Sequence, residues 1–142
     1  MNNYPFVLID TGIIVAFYDV KDYYHQQVLN FFNTCNSQLI TTLACVTEVM
    51  WLLSPNINLQ NEFLLALEKE AFVCEHLLPS DYQRIIELNT IYQDLPGDFT
   101  DLSLIVISER LNISAIATLD KDFDVYRRYR KEPFNRVFFP QR

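Results

Sequence analysis

Turn-forming residues are scarce in this chain: 142 residues include 2 glycines and 6 prolines. That composition argues against a turn-rich all-β protein and for helices around a small sheet. Cys35, Cys45 and Cys74 are odd in number, far apart and form no Cys-x-x-Cys pair. Structural zinc and a disulfide framework are thereby disfavoured, and the thiols read as buried and reduced. No basic residue precedes the first apolar run, which Asp10 interrupts early. The expectation is a cytoplasmic protein with no secretory signal and no membrane-spanning stretch. His25 and His76 are the only histidines; His25 is expected to be structural or on the surface, and His76 is given no role.

What is present is a large apolar fraction, 50% of the residues with 14% aromatic. One domain spanning residues 1–142 is the economical reading, long enough for a real core. The formal net charge is −7, unhelpful for a nucleic-acid binder. Its distribution is more telling. Residues 121–142 carry a net +4, leaving −11 for residues 1–120. An acidic body beside a basic end suits a metal-binding cluster next to a phosphate-gripping edge.

Phe6-Val7-Leu8-Ile9 is a short apolar run ending in Asp10. It reads as a fully buried strand, central in a parallel sheet, with Thr11 and Gly12 turning the chain. Asp10 then stands at the carboxyl edge of the sheet, where open α/β folds place their sites. A short helix over Ile13–Tyr18 follows, then a loop with Asp22 as helix cap and an amphipathic helix over Tyr23–Cys35. Gln38–Thr42 reads as a strand, Leu43–Leu53 as a buried helix and Asn58–Ala71 as another helix. A third strand is expected over Phe72–Leu77 and a helix from Pro79-Ser80-Asp81 to Leu95. Pro96-Gly97 breaks the chain, and Asp98 to Asn112 forms an apolar helix. Ser114–Leu119 is the fourth strand, ending in Asp120, and Val137–Phe139 the fifth. This alternation predicts a three-layer α/β/α sandwich with a mostly parallel central sheet.

On that scaffold, acids collect at element ends. Asp10 ends the first strand, Glu48 sits in an otherwise apolar helix, Asp98 and Asp101 open another, and Asp120 and Asp122 follow the fourth strand. Taken singly, most of them read equally well as caps or solvated turns. Together they call for compensation, since a buried ionised carboxylate costs several kcal/mol unless paired. Residues 1–110 offer only Lys21, Lys69, Arg84 and Arg110 as partners. A divalent cation is simpler. Oxygen donors without matching histidines favour Mg²⁺ or Mn²⁺ over zinc. Such a site suits phosphodiester hydrolysis, and helix N-termini near Glu48 and Asp101 would help to keep these acids ionised. Arg127, Arg128 and Arg130 are candidates for nucleic-acid phosphate contacts. Tyr126 and Tyr129 could stack on bases, although packing explains them as well. The Asp-Thr-Gly triplet also occurs in aspartic proteases, but a β-rich fold and a second Asp of the dyad are missing. A haloacid-dehalogenase phosphatase would need an acid where Gly12 stands.

Asp-Thr-Gly-Ile-Ile-Val-Ala (10–16), Thr-Thr-x4-Thr-Glu-Val-x-Trp-Leu-Leu (41–53), Asp-x-x-Asp-Leu-Ser-Leu (98–104) and Ala-Thr-Leu-Asp-Lys-Asp-Phe (117–123) resemble, in this order, the PIN-domain nucleases. They look most like the VapC-type toxins of bacterial toxin–antitoxin pairs. The resemblance implies an α/β/α fold and an endoribonuclease using Mg²⁺ or Mn²⁺. By position it implies Asp10, Glu48, Asp101 and Asp120 as catalytic acids, and Asp98 as an additional metal ligand. Thr11, Thr118 and Asp122 would support them, and the fourth acid is open between Asp120 and Asp122, with Asp120 favoured. It further implies an RNA substrate, a small antitoxin, a homodimer, and operator DNA bound only through the antitoxin complex. The apolar helical region from Met50 to Phe72 is the expected dimer surface. The competing class is a catalytically silent PIN-like scaffold.

Overall fold

The computed structural model describes residues 4–95 and 97–141; Pro96 of the expected chain break and Arg142 of the basic end lie outside them. Its centre is a five-stranded sheet in the order β3-β2-β1-β4-β7, with every pairing parallel. The strands are β1 (Phe6–Ile9), β2 (Gln38–Thr42), β3 (Phe72–Glu75), β4 (Ala115–Ala117) and β7 (Asn135–Arg136). Six helices accompany them among the described residues: α1 (Thr11–Tyr18), α2 (His25–Thr34), α3 (Leu43–Leu52), α4 (Ile57–Glu68), α5 (Asp81–Ile91) and α6 (Phe99–Arg110). A 3₁₀ turn (Lys121–Asp124) and an antiparallel pair, β5 (Arg127–Arg128) with β6 (Glu132–Pro133), precede β7.

β1 is apolar throughout because it is covered on both faces. Leu8 joins Ile40 and Ile116 in one core, with Ile85 and Leu88 of α5 and Leu104, Ile105 and Ile107 of α6. Val7 and Ile9 point the other way, into a core with Ile13 and Ile14 of α1, Val28 of α2, Val49 of α3 and Phe63 of α4. Each such aliphatic side chain contributes about 1.5–3 kcal/mol on burial. The sequence pattern and the three layers agree. α6 is buried from Thr100 to Ser108, which explains why its sequence shows no polar face.

Several boundaries differ from expectation. Thr11 and Gly12 are not a turn but the first two residues of α1. α2 begins at His25, and Asp22 shapes the preceding turn by accepting the Tyr24 N–H at 2.8 Å rather than capping the helix. α3 is not buried all round: Leu43, Trp51 and Leu52 are exposed. Its apolar composition therefore marks an uncovered face as well as a core face. The fifth strand is Asn135–Arg136, two residues before the Val-Phe-Phe run. That run follows it, with the Val137 N–H still donating to the Ile116 carbonyl and Phe138 filling the α1–α4 core.

Candidate metal centre

The parallel sheet sends β1 and β4 side by side to one edge, and Asp10 follows β1 directly. The Asp10 N–H donates to the Ala117 carbonyl at 3.1 Å, continuing the ladder one residue past β1. As N-cap of α1, Asp10 accepts the Thr11 N–H on Oδ1 at 2.8 Å. Its Oδ2 accepts the Thr118 hydroxyl at 2.7 Å. Thr118 Oγ1 in turn accepts the Asp120 N–H at 2.9 Å, which ties the acid after β1 to the acid after β4. Asp120 caps the 3₁₀ turn, accepting the Asp122 N–H at 2.9 Å. It therefore stands three residues beyond the end of β4, not at the strand end.

Helices bring the other acids. Glu48 is the sixth residue of α3, and its Oε1 accepts the Thr11 hydroxyl at 2.8 Å. Asp98 caps α6 by accepting the Asp101 N–H at 3.1 Å. Asp101 Oδ2 accepts the Tyr126 hydroxyl at 3.0 Å. Tyr126 is fully buried, edge-on to Tyr92 and Phe123 with ring centroids 5.0 Å from each. Packing of its ring thus fixes the phenol against Asp101, and base stacking is excluded for it. Gly97 closes over this contact. A Cβ at Gly97 would fall 2.2 Å from the Tyr126 hydroxyl oxygen, closer than any side chain tolerates.

The product is an open cleft of about 380 Å³ lined by Asp10, Thr11, Gly12, Glu48, Asp98, Asp101, Leu119 and Asp120. Five of these eight are carboxylates; among the described residues no lysine or arginine lines it. Ligand oxygens of Asp101, Asp120 and Asp122 all lie within 4.8 Å of one another. Oxygens on opposite sides of one Mg²⁺ at 2.0–2.1 Å are about 4.2 Å apart, so small side-chain rotations would close this group on an ion. The donors are all oxygen, which fits a hard divalent cation.

Crowding carries an electrostatic cost. Burial pushes the Asp10 carboxyl up to about 6, with Asp120 and Glu48 adding to the rise against the Thr118 and Thr11 hydrogen bonds. Asp101 is pushed up to about 7, by burial first and then by Asp10, Asp98 and Asp120; the Tyr126 hydrogen bond opposes this. Asp122 is raised by its own desolvation and by Asp120. The expectation that helix N-termini hold the cluster ionised is thus corrected. Glu48 lies beyond the first turn of α3, and at Asp101 desolvation and like charge outweigh the helix end. A bound cation would reverse that balance.

The basic residues are placed differently from the acids. Arg127 Nη1 donates to the carbonyls of Asp124, Val125 and Tyr126 at 2.9–3.1 Å. Arg128 is buried, its guanidinium 5.4 Å from the Tyr129 ring centroid. Arg130 pairs with Glu87. None of the three lines the acidic cleft. The cation that does reach the site's framework is Arg136, which donates to the Thr118 carbonyl at 2.9 Å and pairs with Asp124 at 3.2 Å. Reasoning from sequence passed over it, as it passed over the hydrogen bond of Tyr126 to Asp101, because nothing local marks either contact. His25 is structural, its Nδ1 2.7 Å from the Ala16 carbonyl.

Residues 7–129 match the family model described as the PIN domain. Among solved structures, the fold is similar to that of Mycobacterium tuberculosis VapC20, described as a Sarcin-Ricin loop cleaving toxin. The TM-score is 0.72, over 84% of this chain and 93% of that one, at 15% sequence identity. No curated protein matches the chain by sequence.

Proposed function

The chain belongs to the PIN-domain family of nucleases, and from that premise we propose that it is a metal-dependent endoribonuclease, the toxin of a toxin–antitoxin pair. One observation carries the reading: five carboxylates converge on one open cleft that no lysine or arginine among the described residues lines. Mg²⁺ or Mn²⁺ in that cleft would supply Lewis-acid charge, activating water and stabilising the leaving oxygen of a phosphodiester.

The chain's own residues then divide the work. Asp10, Glu48, Asp101 and Asp120 would hold the ion, with Asp98 as an additional ligand and Asp122 in support. Thr118 and Thr11 fix both oxygens of Asp10. Thr11 also orients Glu48, which keeps its second oxygen for the ion or for water. Burial and like charge raise the Asp10 and Asp101 carboxyls, and a cation entering the cleft would favour their ionised forms. The choice of Asp120 or Asp122 as fourth acid stays open, with Asp120 preferred because it lines the cleft.

The fold likeness to VapC20, a Sarcin-Ricin loop cleaving toxin, supports an RNA substrate; a small antitoxin partner, with operator DNA bound only through it, belongs to the same proposal. A single cytoplasmic domain over residues 1–142, acting as a homodimer, completes the reading; no helix among the described residues is long and apolar enough to cross a membrane. Trp51, 76% exposed, with Leu52, Ile57, Leu64 and Leu65 on α3 and α4, forms the apolar patch proposed for the dimer contact.

The deciding experiment is cleavage of a cellular RNA pool with Mn²⁺, Mg²⁺ or EDTA, beside Asp10→Asn and Asp101→Asn. Metal-dependent cutting, lost at least a hundredfold (on the order of 3 kcal/mol) in both variants, is expected. Wild-type protein that neither cuts nor binds Mn²⁺ would replace this reading by the scaffold one.

A further inference from the structure

Beside the acidic cleft lies a second one, of about 450 Å³, and Glu48 lines both. Leu43 and Thr47 of α3, Leu77 before α5, Tyr82 in the first turn of α5, and Phe99 complete most of its wall. Its character is opposite to its neighbour's. Among the described residues Glu48 is the one carboxylate lining it, and two aromatic side chains border it, Tyr82 and Phe99, 50% and 48% exposed. Phe99 is the first residue of α6, held in sequence between the cap Asp98 and the ligand Asp101. Phe99 of the aromatic wall and Asp98 and Asp101 of the acid wall thus come from one helix start, with Tyr82 added from α5.

We propose that this second cleft is a nucleobase subsite, taking the unstacked base next to the phosphate held in the acidic cleft. The inference rests on the ribonuclease reading of that cleft and adds which part of the RNA the protein grips. Single-stranded RNA is recognised chiefly by splaying bases onto aromatic side chains, and each such stack needs a flat π-face and an apolar slot. The cleft supplies these next to the acidic cleft, on the other side of the shared Glu48. Its volume falls in the range of small-ligand pockets. The base of the slot is already satisfied: the Thr42 and Ser103 hydroxyls bond each other at 2.9 Å, and Ser103 also donates to the Thr100 carbonyl at 2.6 Å. With those hydroxyls engaged, selection is by stacking area, and a purine is preferred to a pyrimidine. The short supply of basic residues around the acids fits the same division. The ion grips phosphate, and the neutral slot grips the base.

The test uses a single-stranded RNA hexamer carrying a fluorescent purine analogue, titrated with Asp10→Asn protein in Mn²⁺ buffer so that it is not cut. Stacking quenches the probe. Adding Tyr82→Leu or Phe99→Leu, which keep an apolar surface and remove the π-face, is expected to weaken binding about tenfold to a hundredfold and abolish the quench. In the otherwise wild-type chain the same leucine variants are expected to keep the Mn²⁺-induced rise in melting temperature. The proposal is overturned by an unquenched parent, by leucine variants that bind and quench like the parent (the result for a slot that takes an apolar peptide side chain), or by loss of the Mn²⁺ effect in the leucine variants. The nuclease reading fails separately: wild-type protein inert towards RNA in Mn²⁺ while the quench persists would leave a base-binding cleft without cleavage.

Discussion

Asp101→Asn is expected to destroy the metal site and, in metal-free protein above neutral pH, to make the fold more stable. The Asp101 carboxyl is displaced from 3.8 to about 7. Each tenfold change in proton affinity is worth about 1.4 kcal/mol, so the ionised form carries a penalty of up to about 4 kcal/mol. Water at the open mouth of the cleft and side-chain relaxation reduce this to about 1–3 kcal/mol. The direction in pH follows from proton counting. Between about pH 4 and pH 7 the folded chain binds more protons at this position than the unfolded chain does. Stability therefore falls as pH rises through that window, and Asp10, displaced to about 6, acts in the same sense.

Asparagine has the same shape and can still accept the Tyr126 hydroxyl, but it never ionises. Thermal unfolding of EDTA-treated wild type and variant from pH 4 to pH 8.5 checks the difference. The two should converge near pH 4. By pH 8 the variant should melt higher, at about 3 °C per kcal/mol for a chain of this size. Mn²⁺ should raise the wild-type melting temperature at pH 8, more than at pH 5, and leave the variant almost unmoved. Parallel pH profiles for the two metal-free proteins would refute the claim that like charge and burial dominate this site.

Tyr126→Phe removes the donor that holds Asp101 down, so the Asp101 carboxyl rises further; Mn²⁺ affinity at pH 6.5 should fall about fivefold to tenfold, less at pH 8.5, by calorimetry. Gly97→Ala should cost about 1–3 kcal/mol and most of the activity, since the new methyl meets a phenol that Tyr92 and Phe123 do not let move; unchanged melting and cleavage would refute the contact. If the proposed homodimer forms through this patch, Trp51→Glu with Leu64→Glu should leave a 16.8 kDa monomer by light scattering, without altering Mn²⁺ binding.

The layers and the acids were legible in the sequence for one reason: both are local signals. β1 is four apolar residues stopped by a carboxylate, and a strand buried on both faces can hardly be written otherwise. Each acid of the cleft interrupts an apolar pattern or opens a helix, so its oddity shows within a few residues of itself. β7 was harder. Its two residues are polar, and the apolar run that suggested a strand belongs to the core beside it.

What tunes the acids was not legible, because it is assembled across the fold. Tyr126 meets Asp101 across 25 residues of sequence; Thr118, which meets Asp10 across 108, was reached only through the family resemblance. The Arg136 side chain contacts the Thr118 carbonyl from a strand that local propensity placed two residues too late. Each partner has an ordinary local explanation, as packing, turn or surface. The arginines of residues 127–130 are engaged within the chain at both short and long range. Arg127 turns back on the carbonyls of Asp124, Val125 and Tyr126 and Arg128 lies against the ring of its neighbour Tyr129, all within three residues, whereas Arg130 pairs with Glu87 across 43. Net charge located the acidic body correctly, but it did not say which cations were free. In a cleft lined by five carboxylates, that distinction decides the chemistry: an arginine among them would satisfy the cluster, and with none among the described residues that line it the acids remain available to an ion.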